Sequence, residues 1–310
     1  MVGIVASDLK LMSKLPIPLF VNPTAGRGRA GRNISSLSSL LHANEISHEI
    51  FESRDRGDIE KQVQAQINDG AESVIVAGGD GSVHEAVNGV LQAELPAALG
   101  VIPIGTGNDF AKACTMPPHW EDAAILLADR IRSNAPNHQI DVGQMNDRFF
   151  ANSAGIGFDA KVTRTAEKIR LPIGDLVYLI AVFKTMWEGV STPELRIDYG
   201  GDAYSGKLTL ASISNGDWVG GMFQIAPMAR NDDGVLELVF AKPVGNWRLL
   251  KLIPRLIQGT HIGQPEVVHA QIRHCEIVAT APLPSHLDGE IQPMHSEFSI
   301  QIIENGLRLL

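Results

Sequence analysis

The chain has 310 residues, of which 44% are hydrophobic and 20% charged, and its formal net charge is -9. This length accommodates two domains, and this composition excludes a disordered chain. The acidic balance argues against a nucleic-acid partner, which brings a basic stripe, while a local basic patch could still meet phosphate or an anionic membrane.

In chain order, 17–21 reads as a buried strand ending at Asn22-Pro23. Apolar residues at helical spacing then mark a helix over 32–43. A strand over 48–52, a helix over 59–67, a strand over 73–77, a helix over 83–91 and a strand over 99–104 follow, with a further helix beyond. Strands alternating with helices predict a parallel sheet covered on both faces. After residue 137 the pattern changes. Short period-two segments at 207–214, 235–241, 267–273, 276–280 and 297–302 predict an antiparallel sandwich, interrupted by one apolar helix over 175–187. The expected fold class is α/β plus β. A parallel α/β domain covers 1–137, a mostly antiparallel β-sandwich domain covers 138–303, and 304–310 is a candidate to rejoin the first domain.

Cys114 and Cys275 stand far apart without metal-ligand spacing, as expected of free thiols in a reducing cytoplasm. The first residues carry charge and lack a long apolar core, so no secretory signal is expected. The longest apolar run, 176–183, is eight residues, far below the roughly 20 that span a bilayer. A cytoplasmic protein with peripheral membrane contact is expected.

Glycine-rich loops follow the first, third and fourth predicted strands, at 22–29, 78–82 and 105–110. In an open parallel sheet, ligands bind beyond the carboxyl ends of the strands, so all of these loops share one edge. Glycine lets a ligand approach the backbone closely. The loops at Gly78 and Gly105 run into helix starts, whose free N–H groups favour an anion. Ser82 and Thr106 add hydroxyl donors, and Arg27 and Arg29 add positive charge. The set suits a nucleotide polyphosphate. There is no GxxxxGK[ST], which excludes a P-loop.

The run VIVAGGDGSVHEAVNGVL resembles the nucleotide-binding signature of the diacylglycerol kinase catalytic-domain family, which includes bacterial lipid kinases and the sphingosine and ceramide kinases. FVNPTAGRGRAG is similar to the family's opening loop, GVIPIGTGNDFAK to its third motif, and IDVGQMNDRFFANSAGIGFDAKV to the entry into its second domain. DDGVLELVF and LDGE match later motifs, so the resemblance covers nearly the whole chain. NAD kinases share the GGDG loop more distantly. Two departures stand out: Ser82 where the family has Thr, and His84 where it often has Asn.

The resemblance implies MgATP as phosphoryl donor and an active site in the interdomain cleft. Gly78, Gly79, Asp80, Gly81, Ser82, Val83 and His84 would line the nucleotide phosphates, with Thr106 and Asn108 beside them. Asn22, Gly26 and Gly28 would close the site, and Ser53 would reach the nucleotide from the second strand. Asp80, Asp288 and Glu290 are candidates to accept the hydroxyl proton. The family's DGE motif points to Glu290 as general base with Asp288 in support, which leaves Asp80 to magnesium or the acceptor. Asp159 reads either as a helix cap or as a lipid-headgroup ligand. Residues 231–234 read as a plain turn; by resemblance Asp233, with the carbonyls of Arg230 and Val235, would hold a structural Mg2+ or Ca2+. The function expected is an ATP-dependent lipid kinase acting on a diacylglycerol-like hydroxyl, with a homodimer as a possible assembly. The alternatives are a kinase of a soluble acceptor such as NAD and a nucleotide-binding regulator without turnover.

Overall fold

The computed structural model describes residues 16–169, 174 and 176–310. The first half runs β1 (Ile17–Val21), α1 (Ala25–Ala43), β2 (His48–Glu52), α2 (Asp58–Asn68), β3 (Ser73–Gly78), α3 (Asp80–Leu91), β4 (Ala98–Pro103), α4 (Asp109–Ala113) and α5 (Trp120–Arg132). The second half continues with β5 (His138–Met145), β6 (Arg148–Phe150), β7 (Ser153–Gly157), α6 (Phe158–Glu167), α7 (Leu176–Glu188), β8 (Glu194–Tyr199), β9 (Asp202–Lys207), β10 (Leu210–Ser214), β11 (Trp218–Val219) and β12 (Phe223–Gln224). It ends with β13 (Leu236–Ala241), α8 (Asn246–Ile257), β14 (Val267–Ile272), β15 (His274–Leu283), β16 (Ser285–Leu287), β17 (Glu290–Ile291) and β18 (His295–Leu309).

Strands β2, β1, β3 and β4 pair in parallel in that order. The central strands β3 and β4 are apolar along their whole length because both faces are covered. Phe20, Val74, Val76 and Leu99 face α2 and α3 through Ile59, Val63, Val83 and Val87. The alternate residues Leu19, Ile75 and Ile102 face α1 and α5 through Leu37, Leu41 and Leu127.

The second half is a sandwich. One layer is β14-β13-β10-β7-β16-β17, and the other is formed by β5, β8, β15 and β18. Phe150, Ile156, Leu238, Phe240, Ile277 and Phe298 fill the space between them. Three helices cover the outer face of the first layer, where the sequence shows only one. Val239 of β13 packs with Phe158, Val162, Ala181, Met186 and Leu249 of α6, α7 and α8. β13 is therefore buried on both faces. Helix α8 escapes a sequence reading because Pro254 interrupts its pattern, yet Leu249, Leu252 and Ile253 form its buried stripe. The expected strand over 207–214 is two strands, β9 and β10, separated by Leu208 and Thr209.

The sheets do not divide where the sequence pattern changes. The 15-residue strand β18 pairs antiparallel with β15 and β5, and its end pairs in parallel with β4 through Arg308 and Leu309. One ten-stranded sheet thus runs through both halves and fixes the cleft between them.

Candidate active site

The carboxyl ends of β1, β3 and β4 bring the glycine-rich loops together. Gly26, Arg27 and Gly28 all have positive φ, so the first loop turns back before α1 becomes regular. A Cβ at Gly26 would collide with the carbonyl of Ile104, and a Cβ at Gly79 would stand 3.0 Å from Cα of Gly105. The loops are in backbone contact, and only glycine permits it. Arg29 donates to the carbonyls of Ile104 and Gly105 at 3.1 and 2.6 Å. It therefore joins the first loop to the third, which corrects the reading of Arg29 as a free phosphate ligand. Asn22 Oδ1 accepts from the backbone N–H and hydroxyl of Thr24. Ser53 is half-buried at the end of β2, its N–H donating to the carbonyl of Val21. Thr106 is exposed, and Asn108 has φ 52 with its amide donating to the carbonyl of Gly105.

Helix α3 starts at Asp80, three residues earlier than the apolar spacing indicates, so Gly81 and Ser82 belong to its first turn. Gly78 packs on Ser82, where it has no room for a side chain. Asp80 is half-buried, and its Oδ1 accepts from the N–H of Phe110 at 3.3 Å. Burial first, and then the neighbouring charge of Asp109, lift its carboxyl from the ordinary 3.8 to about 7. Asp109 accepts from the N–H of Gly221, and Lys112 stands 3.6 Å away.

The second half supplies the turn Leu287–Glu290. Asp288 and Gly289 have φ of 50 and 87, as a two-residue hairpin turn requires. Asp288 is not a solvated acidic turn residue. Its Oδ1 accepts from the N–H groups of Asn152 and Ser153, and its Oδ2 from Ala151 N–H and His84 Nδ1. His84, buried in α3, faces this carboxylate at 3.0 Å rather than the phosphate loop, and ties the halves together. The pinned turn carries Glu290 across the cleft to α3, where a Cβ on Gly81 would collide with Glu290 Oε1. Arg56 Nε donates to Glu290 Oε2 at 2.7 Å, and the same guanidinium pairs with Glu167. Glu85 fixes the Arg56 loop by accepting from Gly57 and Ile59 N–H.

Asp159 does not cap α6. The N-cap is Gly157, and Asp159 Oδ2 meets His286 Nε2 at 3.1 Å. Residues 230–235 lie apart from the cleft. Arg230 pairs with Asp232, Asp233 Oδ1 accepts from Val235 N–H, and Asp141 Oδ2 accepts from Gly234 N–H. Burial first, and then Glu237 and Asp141, raise the Asp233 carboxyl.

Arg56, Tyr178 and His286 belong to no motif in the sequence, and Asp109 stands out there only as part of its loop. Asp80, His84, Asp109, Tyr178, His286 and Asp288 line one cavity between the halves. Tyr178 was the readable one: it is the polar tip in an otherwise apolar run, in a chain with three tyrosines.

Residues 16–145 match the diacylglycerol kinase catalytic domain family, and residues 152–310 match the YegS C-terminal NAD kinase beta sandwich-like domain. This chain belongs to the diacylglycerol kinase catalytic-domain family. It is 27% identical to the diacylglycerol kinase of Staphylococcus carnosus (strain TM300) over 88% of this chain and 87% of that protein. Identity to the diacylglycerol kinase of Bacillus subtilis (strain 168) is also 27%, over 88% of both chains. A crystal structure of a diacylglycerol kinase from Bacillus anthracis (strain Sterne) superposes with TM-score 0.70 at 24% identity, covering 94% of this chain and 95% of that one. The family's two-part architecture, a parallel α/β unit and an antiparallel sandwich, is the one described above.

Proposed function

We propose that the protein transfers the γ-phosphoryl group of MgATP to a lipid hydroxyl in the cleft between its two halves. The observation that carries this reading is the position of Glu290. It comes from the far end of the sequence, yet stands against Gly81 in the first turn of α3, where an anion is favoured. Nucleotide phosphates on the loops at Asn22, Gly26, Gly28, Ser53, Gly78–Ser82, Thr106 and Asn108 would place the reacting phosphorus beside this carboxylate. Glu290 takes the proton of the acceptor hydroxyl, the freed oxygen bonds to the γ-phosphorus, and the bond to the bridging oxygen of ADP breaks. Asp288 positions Glu290, since both of its oxygens are occupied. Arg56 holds Glu290 before substrate arrives.

Asp80 and Asp109 stand close enough for the charge of Asp109 to raise the Asp80 carboxyl, and a pair of facing carboxylates fits a hard cation. Mg2+ held there would neutralise charge on the transferring phosphoryl group. Asp233, with the charges of Glu237 and Asp141 nearby, would hold a second, structural cation, Mg2+ or Ca2+, with the Arg230 and Val235 carbonyls as further ligands.

A membrane-bound acceptor needs a surface for the bilayer. Leu176, Ile180, Phe183 and Trp187 of α7 are 51, 39, 46 and 93% exposed. Their spacing puts them on one helix face, while Val177, Ala181 and Met186 are buried. Among the described residues no helix is long and apolar enough to cross a membrane. We assign this stripe to peripheral contact.

The test is Glu290→Gln. Turnover falls by about 10²- to 10⁴-fold with nucleotide affinity retained. Near-normal turnover by a folded variant would remove Glu290 from the chemistry.

A further inference from the structure

A second histidine–aspartate pair lies beneath the turn that carries Glu290. His286 of β16 is 1% exposed, and its Nε2 meets Oδ2 of Asp159, in the first turn of α6, at 3.1 Å. Strand β7 passes alongside at Gly155, the strand partner of His286, where a Cβ would collide with both His286 Nε2 and Asp159 Oδ2. Glycine there leaves room for the pair. Taking an imidazole and a carboxylate out of water costs free energy, and the chemistry assigned above to Glu290, Asp288 and Asp80 does not use this pair.

In a two-residue hairpin the ladder joins the flanking residues, here Leu287 and Glu290, and the N–H groups of the two turn residues are left over. Asp288 N–H donates to the carbonyl of Ser153 at 2.8 Å. Gly289 N–H donates to His286 Nδ1 at 3.3 Å. A neutral imidazole has one donor and one acceptor nitrogen, so accepting at Nδ1 places the ring proton on Nε2, where Asp159 accepts it. His84, on the other side of the turn, does the reverse, its Nδ1 donating to Asp288 Oδ2. Two histidines of opposite tautomer therefore grip the turn. Without the acceptor at Asp159 the His286 proton is free to move to Nδ1, which then opposes the Gly289 N–H instead of accepting from it.

We infer that His286 is a positioning residue for Glu290: held in one orientation and one tautomer by Asp159, it fixes the Gly289 peptide and, with it, the carboxylate one residue on. The inference rests on the reading of Glu290 as general base. Glu290 Oε1 lies against Gly81 with no room for a Cβ between them, so a small rotation of the Gly289 peptide carries the carboxylate off the first turn of α3. A displacement of about 1 Å costs on the order of 10²-fold in rate. Asp159 thereby acts through His286 rather than on the acceptor.

Two amide variants separate the ring nitrogens, because the amide of Asn reaches the place of Nδ1 and that of Gln the place of Nε2. The full chain is assayed with MgATP and diacylglycerol in phosphatidylcholine vesicles. His286→Gln keeps a donor for Asp159 but has no acceptor for Gly289 N–H. Its kcat falls by about 10- to 100-fold, while KM for ATP and for diacylglycerol stays within about twofold of the parent. His286→Asn restores the acceptor and brings kcat back to within about fivefold of the parent. A merely structural histidine would not distinguish the two amides. Asp159→Ala, at a side chain that reaches solvent, lowers kcat in the same way and carries the test should His286→Gln not fold. Parent-like kcat in these variants, no recovery in His286→Asn, or a raised KM for diacylglycerol with kcat kept in Asp159→Ala overturns the inference alone. Undiminished turnover in Glu290→Gln, measured alongside, overturns the general-base reading and the inference with it.

Discussion

Asp80 stores a pH-dependent instability that its asparagine variant should release. The carboxyl begins α3 half-buried, and Asp109 sits beside it. In the unfolded chain it ionises near 3.8, and in the folded protein only near 7. Between these values the folded state binds more protons than the unfolded one, so stability falls as pH rises, and the full cost is present above about 7. At about 1.4 kcal/mol for each pH unit between the two values, the cost reaches roughly 4 kcal/mol. Asp80→Asn keeps the oxygen that accepts from Phe110 and replaces the repelled charge with an amide able to donate to Asp109. In urea denaturation without magnesium, the variant should exceed the parent by roughly 2 kcal/mol at about pH 5 and by roughly 4 kcal/mol at about pH 8. It should also lose most turnover. An advantage that does not change with pH, or a variant less stable at high pH, would refute the placement of the two carboxylates.

Gly81→Ala adds a helix-favouring residue worth about 1 kcal/mol, but its Cβ needs the space of Glu290 Oε1. Melting temperature should hold or rise while kcat falls by about 10- to 100-fold; equal kcat would show that Glu290 does not act from there. Asp288→Ala leaves three backbone N–H groups and His84 without their acceptor, and denaturant titration should show a loss of about 3–5 kcal/mol. Phe183→Ser with Trp187→Ser should weaken vesicle binding by at least tenfold, since each buried aromatic contributes about 1.5–3 kcal/mol. Leu95→Ser, equally apolar and 46% exposed but preceding β4 at the opposite sheet edge, should leave binding unchanged. Elemental analysis after dialysis should find one divalent ion lost in Asp233→Ala; equal metal content in both proteins would remove that site.

The α/β half was legible because its strands are continuous apolar runs separated by helical periodicity, and those runs are buried on both faces. The glycine loops were legible because backbone contact between Gly79 and Gly105 leaves a composition no other residue can supply. Three things were not legible. The return of 304–310 to the first domain was a candidate from the sequence, and Arg308 and Leu309 do pair with β4, but the continuous sheet that β18 makes depends on pairing between residues 210 positions apart, Arg308 with Ala98. The occupation of Asp288 by backbone donors depends on where 151–153 fold, and an acidic turn in sequence gives no sign of burial. Arg56 lies in an exposed loop without a motif, and only the fold brings Glu290 to it.

The most direct measurement follows the phosphate itself. The protein is incubated with γ-labelled ATP, magnesium and neutral vesicles carrying diacylglycerol, with NAD present in the same mixture, and every labelled product is identified. A lipid kinase working through Glu290 yields a phosphorylated lipid in equal amount to the ADP formed, and Glu290→Gln abolishes both together. Label found in NAD, or ADP formed without a phosphorylated lipid, would contradict the assignment of this cleft to lipid phosphorylation.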